Sequence, residues 1–228
     1  YGMDDNLHMH DLKHPMVGER RDGGERRNPA VDSRAGDERR SEQRAKILAA
    51  TTSVVASRGL SKTTVQHVID VAGVGRRTFY EHFDDLPSAV LTLHTETGRL
   101  LFQAVESAVA AAPPGPVEKI RAGVHAILAM IAADEDLARV LFVEVRALGP
   151  EHEVRREAVI QRFSAFLLEG LARAHANGDV SRSPDELTVF ALVSAVEAVA
   201  LRYVYRQEAS RAVEATHALV ELVLRAFR

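Results

Sequence analysis

The sequence predicts an all-α protein, and three observations support that fold class. From Ser41 onward, apolar residues recur at spacings of three and four, which is the period of an amphipathic helix. Proline and glycine separate these periodic stretches, most clearly in the run from Pro113 to Pro116. No stretch shows the sustained alternation of a half-buried strand. The 228 residues are enough for one large or two modest domains with a sizeable core.

The composition is that of a soluble globular protein, with 46% hydrophobic and 27% charged residues. The net charge of −3 means that any affinity for nucleic acid must come from a local basic patch. The chain has no Cys, which excludes disulfides and thiolate sites and fits a cytoplasmic location. No stretch approaches the roughly 20 apolar residues of a membrane span, so no membrane partner is expected.

Residues 1–40 are predicted to be a disordered N-terminal extension, because they are polar and lack apolar periodicity. Residues 1–15 have the character of a cloning-vector leader, with Met16 as a candidate native start. His8 and His10 could ligate a metal, but nothing fixes them, so no metal site is predicted. The arginines of this extension suit either a solvated tail or an arm that reaches DNA; they are Arg20, Arg21, Arg26, Arg27, Arg34, Arg39 and Arg40.

Four helices are predicted before the proline run, over residues 41–59, 64–71, 76–83 and 87–110. Thr63 and Gln66 have the spacing of a capping box at the start of the second helix. Gly73 permits the tight turn that follows, because a positive φ costs glycine little. Five helical stretches follow the proline run, over residues 117–131, 137–145, 151–176, 184–207 and 211–228. Ser183 is expected to cap the fourth of these, with Pro184 at its first position.

The third helix is the most informative element. Phe79 and Phe83 are four residues apart and therefore share its buried face. The opposite face presents long hydrogen-bond donors, which suits a helix that lies in the major groove of DNA; its residues are Arg76, Arg77, Thr78 and Tyr80. A helical hairpin in which Arg76 and Arg77 are merely solvated explains the same pattern.

Other side chains near this helix could contact phosphate, namely Thr64, His82, Lys62 and Arg44. The charge balance of residues 41–87 is nearly even. Its basic residues are Arg44, Lys46, Arg58, Lys62, Arg76 and Arg77, and its acidic residues are Glu42, Asp70, Glu81, Asp84 and Asp85. Modest non-specific affinity for DNA is therefore expected.

Three motifs in this stretch occur in a specific order: Thr63-Thr64-Val65, Ala72-Gly73-Val74 and Thr78-Phe79-Tyr80-Glu81-His82-Phe83. Together they closely resemble the helix-turn-helix DNA-binding domain of the tetracycline-repressor (TetR) family, over roughly residues 44–93. The resemblance implies a DNA-binding domain at 41–86 and a helical effector-binding and dimerisation domain at 87–228. Position by position, it implies DNA contacts at Thr64, Arg76, Arg77, Thr78, Tyr80 and His82.

The same resemblance implies a homodimeric repressor that binds a palindromic operator and releases it when a small, apolar effector enters the C-terminal domain. Two positions depart from the family pattern. Gly75 replaces a common Ser cap, which costs only a few tenths of a kcal/mol. Leu86 replaces a Lys that contacts phosphate in the family, so that contact is expected to be lost or taken over elsewhere.

The last two helices are where the resemblance places the dimer interface, and the apolar surface of the helix from Leu187 permits this. An effector cavity is expected among the middle parts of the helices of this domain. Candidate lining residues are Phe102, His125, Met130, Phe142, Phe163, Phe166 and Tyr203, although each also suits an ordinary core. His125 and Glu144 are the polar groups expected to point inward.

Enzyme chemistry is not expected. The charged stretch 151–157 has a single histidine and is interpreted as a solvated helix start, not as a zinc motif. Neither a glycine-rich phosphate loop nor a nucleophile elbow is present, and no cofactor is predicted. The alternative function is a helical regulatory or interaction protein with weak or lost DNA binding, or an activator.

Overall fold

A computed structural model describes residues 29–228, with side chains from residue 36 onward. These residues contain nine α-helices: α1 Pro29–Arg58, α2 Val65–Ala72, α3 Arg76–His82, α4 Leu86–Ala111, α5 Pro116–Ala133, α6 Glu135–Phe142, α7 Pro150–Ala176, α8 Glu186–Tyr205 and α9 Thr216–Ala226. Short 3₁₀ helices occur at Leu60–Lys62, Glu144–Leu148 and Ala209–Ala215. No strand occurs in the described range, and the predicted all-α class is confirmed.

The first helix begins earlier than the sequence pattern indicated. It starts at Pro29, so the prediction of disorder through residue 40 is wrong for residues 29–40. Proline is favoured in the first turn, and Ala, Arg and Glu in this stretch have high helix propensity. Extending an existing helix also avoids the cost of a new nucleus. The suggested leader 1–15 and the histidines in it lie outside the described residues.

The predicted cap of α2 is off by one residue. Thr64, not Thr63, is the N-cap, and its side chain accepts a hydrogen bond from the backbone N–H of His67 at 3.3 Å. The His67 ring accepts from the backbone N–H of Thr64 in return, which completes the capping box. Thr63 instead ends the preceding 3₁₀ helix, and its buried hydroxyl donates to the Gly59 carbonyl at 2.8 Å.

The predicted cap of α8 is also wrong. Asp185, not Ser183, is the N-cap, and its carboxylate accepts from the backbone N–H of Thr188 at 2.9 Å and from its hydroxyl at 2.7 Å. A carboxylate is the stronger acceptor and also interacts favourably with the helix dipole. Its hydrogen bonds with Thr188, and the nearby Arg182 charge, hold the pKa of Asp185 below its usual range.

Helices α1 to α3 pack around an apolar core, to which later parts of the chain also contribute. Ile47, Val68 and Phe79 are fully buried in it. Leu86, Leu93, Val140 and Val145 belong to the same cluster, so α4, α6 and the 3₁₀ helix after α6 complete this core. We refer to α1–α3 as the head. Residues 39–228 form one compact unit, and the predicted boundary at 86/87 remains a prediction.

Helix α8 is long and apolar enough, by length and composition alone, to cross a membrane, with a mean hydropathy of 1.8 in its most apolar window. This differs from the expectation that no stretch approaches such a span. In this fold α8 packs against α6, α7 and α9. Only 28% of that window is buried, and the exposed apolar residues of α8 are Leu187, Ala191, Ala198 and Tyr205.

Candidate DNA interface and effector cavity

The recognition helix candidate, α3, is fixed to the head by its two phenylalanines. Phe79 is 0% exposed, and its ring centroid lies 5.8 Å from that of Phe83 in the same core. Gly73 adopts a φ of 65° at the end of α2, which makes the short turn into α3 possible. Since one face of α3 is buried, Arg76, Arg77 and Tyr80 lie on its exposed face, as the sequence predicted.

The two arginines of α3 are held by neighbouring side chains. Arg76 donates to the side-chain oxygen of Gln66 at 3.2 Å, and Gln66 donates to Asp70 at 2.7 Å. Arg77 pairs with Glu81 at 2.9 Å, although its side chain is 93% exposed. Gln66 therefore positions Arg76 and is not the capping partner that the sequence suggested.

The remaining predicted DNA contacts differ in accessibility. Lys62 and Thr64 are exposed, whereas Thr78 and His82 are half-buried. The Thr64 oxygen already accepts a bond from the α2 backbone, which leaves its hydroxyl proton free to be donated. Burial, followed by the charges of Arg40 and Arg44, lowers the pKa of His82, so its ring is neutral near neutral pH.

Arg44 is already engaged within the protein. Its guanidinium forms two hydrogen bonds with Glu96 of α4, the longer at 3.1 Å, and lies 5.6 Å from the centre of the Phe83 ring. In this structure it therefore ties α1 to α4 and does not extend from the surface. Leu86, at the position of the family's lysine, is buried in the head core. Both features reduce the number of side chains available for phosphate.

The C-terminal helices surround a cavity of about 1100 Å³. Residues of α4 to α8 line it, mostly with aliphatic and aromatic side chains. Four of the seven predicted lining residues lie on its wall: Met130, Phe142, Phe163 and Phe166. The volume slightly exceeds the roughly 300–1,000 Å³ of common small-molecule sites.

Three predicted lining residues lie elsewhere. Phe102 is buried behind the wall, where its ring packs edge-on against Phe163 and Phe166 and beneath the Arg162 guanidinium. Tyr203 packs, half-buried, against the core that α5, α8 and α9 form. His125 is exposed, because the residues of α5 that line the cavity recur at spacings of three and four from Lys119 to Ile131 and leave position 125 on the opposite face. The expectation that His125 points inward is therefore wrong.

Two histidines that the sequence analysis did not select lie on the cavity wall. His94 of α4 and His152 of α7 contact each other edge-to-face, with ring centroids 5.2 Å apart. His152 is only 2% exposed, so the interpretation of 151–157 as a wholly solvated helix start is wrong. The available signal was the stripe of His152, Arg156 and Ile160 at spacings of four, which continues the apolar face of α7.

Glu144 does point inward, but toward the head. Its carboxylate accepts a hydrogen bond from the backbone N–H of Leu60 at 2.9 Å and lies 3.4 Å from Arg139. Two pairs of consecutive residues also join the head to the cavity. Leu93 packs in the head core, and the next residue, His94, lines the cavity. Likewise, Val145 packs in the head core, and Arg146 lines the cavity. At these two points the cavity wall and the head core are therefore formed by neighbouring residues of the chain.

Comparison with known families identifies both parts of the chain. Residues 47–85 match the family described as "Bacterial regulatory proteins, tetR family", and residues 113–224 match "Tetracyclin repressor-like, C-terminal domain". A search of curated proteins found no match. The two matches lie in the order that a DNA-binding domain followed by a regulatory domain requires.

Solved structures share the fold at low sequence identity. FadR, a fatty acid degradation regulator from Bacillus halodurans, is 21% identical, with a TM-score of 0.73 over 80% of this chain and 94% of its own. The regulator FadR from Bacillus subtilis, in complex with stearoyl-CoA, is 18% identical, with a TM-score of 0.72 over 81% of this chain and 99% of its own. The TetR-family regulator PfmR from Thermus thermophilus is 22% identical, with a TM-score of 0.65 over 78% and 97%. The chain belongs to the tetracycline-repressor (TetR) family of bacterial transcriptional regulators.

Proposed function

We propose that this regulator is a cytoplasmic repressor, which binds a palindromic operator as a homodimer and releases it when a small, largely apolar effector enters the cavity. One observation carries the proposal: α4 packs into the head core at Leu93 and lines the cavity from His94 onward. A single helix therefore contacts both the DNA-reading head and the effector space. Binding that favours one arrangement of this helix changes the position of the head.

Sequence recognition is assigned to the exposed face of α3. Arg76 and Arg77 can each donate two hydrogen bonds to guanine O6 and N7, and Tyr80 can donate to phosphate. The Gln66 and Glu81 side chains reduce the freedom of the two arginines before DNA binds. Thr64 and Lys62 are the candidate phosphate contacts beside them.

Dimerisation is assigned to the exposed stripes of α8 and α9. On α8 the exposed residues recur at helical spacing and include Leu187, which is 77% exposed, Ala191, Ala198 and Tyr205. On α9, Ala218 and Leu222 continue the exposed apolar surface. Large apolar side chains are costly in water, and small alanines allow close approach of a second pair of helices. A two-fold dimer would place two α3 helices on successive major-groove faces about 34 Å apart.

The effector is assigned to the C-terminal cavity because of its size and its apolar wall. The stearoyl-CoA bound to the Bacillus subtilis regulator is one example of a long apolar ligand held by a protein of this fold. The wall residues Met130, Phe142, Phe163 and Phe166 are assigned contact with the apolar part of the ligand.

The test uses the full chain and duplexes that it selects from random sequence. A palindromic consensus is expected, and fluorescence anisotropy should show binding that weakens with added salt. Arg76→Ala and Arg77→Ala should each weaken the complex by about 1–3 kcal/mol, or roughly 5- to 150-fold. Arg121→Ala, on the exposed face of α5 and outside both the α3 surface and the proposed dimer surface, is the matched control and should have no effect.

Whether the protein represses or activates is tested by measuring transcription from a promoter that contains the selected site. Addition of the protein should lower transcript yield, and a cavity ligand should restore it. A rise in transcript with the protein alone would make the chain an activator. Specific binding that neither α3 substitution weakens would remove α3 as the reading helix.

A further inference from the structure

One end of the effector cavity holds buried polar side chains, whereas the polar residues at its other end, such as Lys119 and Arg173, are exposed. His94 and His152 lie there with their rings in edge-to-face contact, and neither Nδ1 has a hydrogen-bond partner among the described residues. The Glu153 carboxylate lies 3.7 Å from the His152 Nδ1, which is beyond hydrogen-bond distance. A buried polar nitrogen without a partner costs free energy, and native structures seldom leave one unsatisfied without a reason. Two adjacent cases on the wall of a cavity suggest that a ligand completes the site.

Three arginines and three glutamates surround the pair, and Arg146 is the one of these arginines that no carboxylate pairs with among the described residues; it donates to the Phe142 carbonyl at 2.8 Å. Arg146 and Arg156 line the same end, and Arg155 donates to Thr95 beside His94 at 3.2 Å. The acidic groups are engaged: Glu153 and Glu197 bind Arg156 at 2.9 and 2.7 Å, and Glu151 binds Arg155 at 3.3 Å.

The local environment keeps both imidazoles neutral. Burial, the neighbouring His152 and Arg155 lower the pKa of His94 to about 4. Burial also lowers the pKa of His152; Glu153 opposes this, and Arg146 and Arg156 add to it. The guanidinium charges that disfavour imidazolium favour an anion at the same place.

A carboxylate suits this end best. A neutral imidazole has one N–H to donate, and the two oxygens of a carboxylate can accept from both rings. The negative charge also interacts favourably with the Arg146 guanidinium, which an alcohol or an ester cannot match.

We propose that the effector is an amphiphile with a carboxylate head, which lies against the His94–His152 pair, and an apolar body, which extends along α4 toward α5. This proposal rests on the proposed function, because it assigns the head group of the same effector. The space along α4 from His94 to Ala110 is roughly 24 Å long at 1.5 Å per residue, enough for an extended alkyl chain.

The opposite end of the cavity is a weaker anion site. Lys119 and Arg173 line it, but both are exposed, and Arg173 already pairs with Glu169 at 2.7 Å. A charged group held there would remain in water, where ion pairs contribute little. The buried histidine pair is therefore assigned the selective contact.

The experiment compares three ligands of equal chain length: dodecanoic acid, dodecan-1-ol and dodecanoyl-CoA. Each displaces a fluorescent apolar dye from the full-length protein, and operator release is measured in parallel by anisotropy. The acid is expected to bind at least about tenfold more tightly than the alcohol. His152→Leu and His94→Leu should remove that preference and leave the affinity for the alcohol unchanged, whereas His152→Gln, which keeps an N–H donor, should retain part of it.

The controls are Lys119→Ala and Arg173→Ala at the other end of the cavity and His125→Leu outside it, and none should alter the preference. Equal binding of acid and alcohol, with operator release by both, would overturn the carboxylate assignment and leave the proposed function intact. Loss of the preference for the acid in the Lys119 or Arg173 variant would also overturn the carboxylate assignment. So would tight binding of dodecanoyl-CoA that the histidine substitutions do not change. Dye displacement without operator release by any ligand would instead contradict the proposed function.

Discussion

The head and the C-terminal domain are both helical, but they use their interiors in opposite ways. The head has a closed core, in which Ile47, Val68 and Phe79 are fully buried, and its distinctive polar groups lie outside. The C-terminal domain encloses a cavity of about 1100 Å³, and its distinctive polar groups, His94 and His152, lie on the inner wall. Filled space fixes the orientation of a reading helix, whereas unfilled space leaves room for a ligand.

The largest expected effect is that of a large-to-small substitution in the head core. Phe79→Ala removes the side chain that anchors α3, and core Phe→Ala changes typically cost about 3–5 kcal/mol of folding free energy. Thermal unfolding should shift strongly, and operator binding should be lost with it. The matched substitution Leu101→Phe adds volume on the cavity wall and should change ligand affinity with little change in stability or operator affinity. A similar loss of stability in both variants would show that the two interiors do not differ as described.

The second effect concerns the pH dependence of stability. The pKa of His94 is about 4 in the folded protein and 6.5 unperturbed, so between these values the unfolded chain binds more protons. The free energy of unfolding therefore has its full value above about pH 6.5. It falls as the pH is lowered toward about 4, by on the order of 2 kcal/mol after allowance for residual solvent access. His94→Leu should flatten this dependence in urea titrations. The exposed His125→Leu is the control and should leave the curve unchanged.

A smaller effect is expected at the contact between the two regions. Glu144→Ala leaves the backbone N–H of Leu60 without its acceptor, at a cost of about 1–3 kcal/mol, whereas Glu144→Gln retains an oxygen that can accept. The Ala variant should bind operator and ligand separately but respond less to the ligand. Unchanged coupling in a folded Ala variant would remove this contact from the transmission of the signal.

The smallest effect is expected at the half-exposed pair of Arg44 and Glu96. Its contribution should be about 0.2–1 kcal/mol, because such pairs are screened by solvent. A double-mutant cycle with Arg44→Ala and Glu96→Ala measures it directly. If Arg44 contacts phosphate when DNA is bound, Arg44→Ala alone should weaken the operator complex while Glu96→Ala should not.

The two regions also differed in how far the sequence predicted them. The buried pair Phe79 and Phe83, the turn at Gly73 and the exposed face of α3 depend on spacing within a few residues, and all were predicted. The partnership of Arg44 with Glu96 joins positions 52 residues apart, and local periodicity contains no information about it.

The polar end of the cavity was missed for a related reason. His94 and His152 come from helices distant in sequence, and each alone resembles an ordinary helix residue. Aromatic residues were predicted to line the cavity because they lie near the middle of the helices, but Phe102 packs behind its wall. Which face of a core helix meets empty space depends on how all its neighbours pack, and no single helix encodes that.

The consecutive pairs Leu93–His94 and Val145–Arg146 belong to a thin layer of protein between the head core and the cavity. A substitution at His94 or Arg146 that suits a new ligand therefore affects the chain next to a residue that packs in the same core as α3, the candidate reading helix. The cavity-lining residues of α5 have no such neighbours, since none of its residues belongs to the head core. Ligand preference can accordingly diversify on α5 with less disturbance to DNA recognition than at these two pairs.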